Sequence, residues 1–65
     1  MDRIHGYKIY TCYNHSNRWF FNSIYKTRKG AKNRARQIKE IDSNFSIKLV
    51  SYGSIYQPLK EEILY

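Results

Sequence analysis

One cysteine, one proline, three isolated glycines and only five acidic residues mark what this 65-residue chain does without. A lone Cys12 cannot form an internal disulfide, which excludes a secreted scaffold built on cross-links and makes the reducing cytoplasm the expected compartment. Gly6, Gly30 and Gly53 stand too far apart for a Gly-rich phosphate loop. The longest aromatic run, Trp19, Phe20 and Phe21, is far short of the ~20 apolar residues a membrane span needs. Met1 to Gly6 hold no apolar signal segment, so neither export nor a membrane partner is expected. The acids are Asp2, Glu40, Asp42, Glu61 and Glu62, too scattered for a catalytic carboxylate pair.

What the chain does have is hydrophobic bulk and positive charge. Its residues are 42% hydrophobic and 17% aromatic, too apolar for a disordered segment. The length makes one domain spanning 1–65, and a domain of this size buries roughly 60% of the surface its unfolded chain exposes. A packed aromatic core or self-association as a homodimer is the usual remedy for so small a core. Twelve Lys and Arg against five Asp and Glu give a formal charge of +7. Such a field attracts nucleic acid or an acidic protein surface, or else serves only to keep the surface solvated.

Periodicity orders the chain. Tyr7 to Tyr13 alternate at period two and read as a strand; Asn14, His15, Ser16 and Asn17 are turn formers; Arg18 to Lys26 resume an aromatic, β-branched run and complete a hairpin. In that second strand Trp19, Phe21 and Tyr25 fall on one side and Phe20 and Ile24 on the other, which reads as a strand covered on both faces. Thr27 is a capping residue for a helix from Arg28 to about Ile41 or Asp42, with Ala31, Ala35, Ile38 and Ile41 or Asp42 as a narrow apolar stripe. Two alanines on that stripe bring the helix close to the hairpin it covers. Phe45 to Tyr52 form a third strand with Phe45, Ile47 and Leu49 on one face. Ile55 and Tyr56 read as a short edge strand, and Pro58 opens a final helical turn through Leu59, Ile63 and Leu64. The expected fold is α+β in the order β-β-α-β, a small sheet with one amphipathic basic helix on one face and a short C-terminal appendage.

The strongest signal lies in that helix. Lys26, Arg28, Lys29, Lys32, Arg34, Arg36 and Lys39 fall within one acid-free stretch. At about 100° per residue, Arg28, Lys32, Arg36 and Lys39 form a strip beside the apolar stripe, with Lys29 just beyond and Arg34 on the opposite flank. Like charges at this spacing repel, so a helix that keeps them presents positive charge to a partner. Phosphate is the obvious counter-charge, and Asn33 and Gln37 add amides able to meet base edges. Four neutralised phosphates predict a log–log salt slope of about −3.6 for duplex binding.

Tyrosines add a second possibility. Tyr7, Tyr10, Tyr13, Tyr25, Tyr52 and Tyr56 include more rings than so small a core hides; Tyr10, Tyr13, Tyr25, Tyr52 and Tyr56 are the candidate interface aromatics, able to stack on bases or anchor a protein contact. Each taken singly is an ordinary core or sheet-face residue. Cys12 and His15, with His5 upstream, lack the fourth ligand and paired spacing of a zinc site. As a nucleophile and base they lack an orienting group and an oxyanion site. Neither metal, cofactor nor enzymatic activity is expected.

The segment Tyr25, Lys26, Thr27, Arg28, Lys29, Gly30, Ala31, Lys32, Asn33, Arg34, Ala35, entering a helix straight from an aromatic strand, resembles the short accessory proteins of phages of low-GC bacteria. The likeness implies a host-takeover or counter-defence role in the host cytoplasm, as a stoichiometric inhibitor of a host protein. Inhibitors that imitate DNA are acidic, so this basic chain would bind nucleic acid itself or an acidic patch on a host protein. The leading expectation is a non-catalytic nucleic-acid-binding protein working through the helix; the second is a phage-type inhibitor using the helix and the tyrosine-bearing hairpin. A third is an accessory protein that self-assembles through Leu59, Ile63, Leu64 and Tyr65.

Overall fold

The structure is a computed structural model that describes residues 3–14 and 16–65. Alternating β-branched and aromatic residues make β1 (Gly6–Tyr13), β2 (Phe20–Tyr25) and β3 (Phe45–Tyr52), and α1 (Arg28–Ile41) lies between the second and third strands. A 3-10 turn (Ser54–Tyr56) then leads to β4 (Pro58–Ile63). The four strands form one antiparallel sheet in the order β2-β1-β3-β4. Passing from β2 through α1 to β3 therefore carries the chain over β1, which lays the helix across one face of the sheet.

Register decides which side chains that helix meets. Ile9 pairs with Leu49, Thr11 with Ile47 and Tyr13 with Phe45, and opposed residues share a face. These odd-numbered residues of β1 and β3 point toward α1. Ile9, Ile47 and Leu49 are fully buried there, against Ala31, Ala35 and Ile38, with Tyr7, Tyr25, Phe45 and Leu64 half-buried around them. The two alanines carry almost no side-chain bulk, so the helix seats directly on the sheet. Both helix ends are closed: the Thr27 hydroxyl accepts from the Gly30 amide at 3.1 Å, and the Asp42 amide donates to the Ile38 carbonyl at 3.1 Å. Lys39 Nζ ties the helix to the chain that follows it by donating to the carbonyls of Ser43 and Phe45 at 2.6 and 3.0 Å.

Four expectations are corrected. The tail is not a helical turn but a fourth strand: Pro58 lacks an N–H and tolerates the first position of an edge strand, and Lys60 and Glu62 then alternate with Glu61 and Ile63. Ile55 and Tyr56 form the 3-10 turn instead of an edge strand, with left-handed φ of 56° at both. In β2 the simple alternation fails, because the register shifts between Ile9 and Tyr10, whose partners are Ser23 and Phe21. This bulge places Tyr25, Ser23 and Phe20 on the helix side and Ile24 and Phe21 on the other, and Phe20 and Phe21 remain 60% and 54% exposed, so β2 is not covered on both faces. Finally, Ile41 does not join the apolar stripe: it is exposed, and Asp42 serves as the C-cap.

Candidate nucleic-acid interface

The outward side of α1 carries the charge that its sequence promises, but not all of it is available. Arg28 is ion-paired with Glu62 of β4, in a two-pronged contact whose second bond, Nη2 to Oε1, is 2.8 Å. That contact raises the Arg28 pKa and pulls the Glu62 carboxyl below the usual glutamate range, the hydrogen bond to Arg28 being the main cause. Lys39 is committed to the carbonyls of Ser43 and Phe45 beyond the helix end. Arg34 Nη1 donates to Gln37 Oε1 at 3.4 Å on the opposite flank. What remains outward is Lys29, Lys32 and Arg36 with Asn33, while Lys26 is exposed just before the helix.

These side chains converge. Arg28, Lys29, Lys32, Asn33, Arg36 and Tyr65 line one open groove of about 580 Å³ between the outer helix face and the end of the chain. Tyr65 reaches it because its backbone continues the β4 pairing, its carbonyl accepting from the Ile47 amide at 3.0 Å. No acid lines the groove. Chemically it is a positively charged groove with an aromatic wall. The helix strip expected from the sequence thus loses Arg28 and Lys39 as unencumbered contacts and gains Lys29, which the groove draws in.

Among the described residues no helix or second sheet covers the opposite face, although Cys12 and Val50 on it are buried. In β1 and β3 its residues are Lys8, Tyr10 and Cys12, and Ser46, Lys48, Val50 and Tyr52, by the same register that sends their neighbours inward. Phe21 and Ile24 of β2, and Glu61 and Ile63 of β4, join them. Lys8 Nζ stands 5.4 Å from the Tyr52 ring centre and 4.7 Å from that of Tyr56, and the two rings are 5.4 Å apart. Lys48 Nζ stands 5.6 Å from Tyr10 and 4.8 Å from Trp19, and also pairs with Glu61 at 3.0 Å. Phe21 meets Tyr10 edge to face at 5.8 Å.

Of the aromatics singled out from the sequence, Tyr10, Tyr52 and Tyr56 lie on this open face. Tyr25 does not: it packs at the margin of the core under α1. Tyr13 is 48% exposed on the helix side, its ring edge-on to Phe45 at 5.0 Å. The sequence reading missed Lys8, Lys48, Trp19 and Phe21 as members of one surface. The signal was present, since Lys8, Tyr10 and Lys48, Val50, Tyr52 alternate with core residues, but only the pairing of β1 with β3 brings them together.

Cys12 is buried, its thiol directed at the Ser16 carbonyl, and His15 lies outside the described residues. Among the described residues no group of three His, Cys, Asp or Glu side chains is placed to hold a metal ion, and no helix is long and apolar enough to cross a membrane. Comparison of the chain with protein-family models, curated proteins and solved structures finds no match.

Proposed function

We propose that this protein is a non-catalytic nucleic-acid-binding protein that holds phosphates on the outer face of α1. The observation that carries the reading is the groove lined by Arg28, Lys29, Lys32 and Arg36 with no acid among the lining residues. Like charges gathered on one helix face are unfavourable until a polyanion neutralises them. Asn33, in the same groove, supports the reading with an amide able to donate to phosphate or meet a base edge. A helix of 14 residues is ~21 Å long, enough to follow a backbone over several phosphates.

Salt dependence tests it. With Arg28 held by Glu62, three cations remain for phosphates, so log affinity for duplex against log salt should have a slope of about −2.7. A flat salt dependence removes the reading. The second reading, an inhibitor that blocks an acidic host protein surface, is favoured by the exposed rings of Phe20, Phe21 and Tyr56. Its signature is a stoichiometric protein partner that survives nuclease treatment and depends on those rings at least as much as on Lys32 and Arg36.

A further inference from the structure

We infer that the aromatic residues on the face of the sheet away from α1 form a stacking platform for the bases of single-stranded nucleic acid, distinct from the phosphate-binding face of α1. The inference rests on the proposal that the partner is nucleic acid, and adds which form of it this second surface takes. A solvated face of an antiparallel sheet normally carries polar residues opposite its apolar ones. Here that face instead carries Tyr10, Phe21, Tyr52 and Tyr56, with Lys8 and Lys48 among them.

Ring faces without a specific hydrogen-bond code, accompanied by cations that follow a sugar-phosphate backbone, are the general solution to gripping unpaired bases. The two ring groups, one around Lys48 and one around Lys8 and Tyr52, are four residues apart along β3, or ~13 Å. About four stacked nucleotides at ~3.4 Å each cover that distance. Lys8 has no ion-pair partner among the described residues, while Lys48 is paired with Glu61, the one described acid on this face. The backbone path therefore runs on the Lys8 side, where the left-handed turn at Ile55 and Tyr56 holds the Tyr56 ring up beside the ammonium. Strain of this kind persists where a side chain must be presented.

Charge also selects the occupant. A second copy on this face would oppose two chains of +7 each, whereas a polyanion relieves the same field.

The test uses the only tryptophan in the chain, Trp19, which stands beside Lys48 on this face. The intact protein is titrated with an oligothymidylate of about ten nucleotides and with a duplex of about the same length, reading both Trp19 fluorescence and anisotropy of the labelled nucleic acid. The expected result is quenching by the single strand but not by the duplex, with Phe21→Ala and Tyr56→Ala each weakening single-strand affinity about tenfold or more. Both side chains are exposed, so the variants keep the fold, checked by their melting. Single-strand binding seen by anisotropy without Trp19 quenching, and indifferent to both variants, overturns the inference while leaving the helix reading intact. Quenching that persists in a protein with no duplex affinity sinks the helix reading and keeps this one. A protein of doubled mass that neither nucleic acid quenches, and that Phe21→Glu returns to single mass, makes the face a contact between copies and overturns the inference.

Discussion

The two faces of this small sheet carry positive charge in opposite ways. On α1 the cations are crowded and close in sequence, and their number overstates the charge on offer because Arg28 is paired with Glu62 and Lys39 is bound to the carbonyls of Ser43 and Phe45. On the open face there are two lysines drawn from different strands, each standing over aromatic rings. The first face is a contiguous stretch of chain and the second is a product of pairing. Charge density along a sequence therefore marks a region but does not measure the surface that a partner meets.

The comparison breaks first where both faces depend on one structure. Leu49 is fully buried on the helix-facing side of β3, and Leu49→Ala should cost about 2–5 kcal/mol. A 65-residue domain has only about 3–10 kcal/mol of stability, so the melting temperature should fall steeply and both binding activities should be lost together at the lowered transition. An activity that outlasts the melting of the variant would mean that it does not need the sheet. Next in size, Lys29→Glu, Lys32→Glu and Arg36→Glu together should lower duplex affinity more than about a hundredfold and flatten its salt slope, with Trp19 quenching by oligothymidylate retained. Equal loss of both would unite the faces into one footprint.

Smaller changes separate the faces from within the sheet. Gly6 pairs with Tyr52, and a Cβ there would collide with the Tyr52 hydroxyl and sit 2.9 Å from the Tyr25 carbonyl. Gly6→Ala should therefore displace the Tyr52 ring at a cost of about 1–3 kcal/mol, disturbing single-strand binding and sparing the helix groove. Ile55, 97% exposed, is a β-branched residue with φ 56°, a conformation that costs an L-residue ~1–2 kcal/mol. Ile55→Gly should raise the stability measured by denaturant unfolding by up to ~1 kcal/mol, since glycine accepts the angle but loses more chain entropy.

The sheet-and-helix plan was legible because its periods were clean. Alternation marked β1 and β3, Thr27 marked the helix start, and Ala31, Ala35 and Ile38 marked its buried stripe. The tail misled because Pro58 followed by Leu59, Ile63 and Leu64 satisfies a helical spacing as well as an edge strand, and only the exposed edge of β3 decides between them. Phe21 was assigned to the same side as Tyr25 because one bulge inverts the order of faces and leaves no mark in local periodicity. The basic strip was legible as a strip, yet the Arg28–Glu62 pair spans 34 positions, beyond any reading of neighbouring residues.

That pair supplies the finest test of the comparison. Glu62→Gln removes the carboxylate and leaves Arg28 beside Lys29 and Lys32 in the groove, so duplex affinity should rise and the salt slope should steepen by about one unit, from about −2.7 toward −3.6. The same variant has a pH signature. Because Arg28 holds the Glu62 carboxyl below its ordinary range, the pair's small contribution to stability is fully present above the unfolded glutamate pKa and is lost as pH falls through the depressed folded value. The difference in melting temperature between wild type and Glu62→Gln should therefore be constant near neutrality and shrink toward zero in acid. A slope unchanged by the substitution would mean that Arg28 already contacts phosphate despite its partner, and the helix would then present four cations to the backbone.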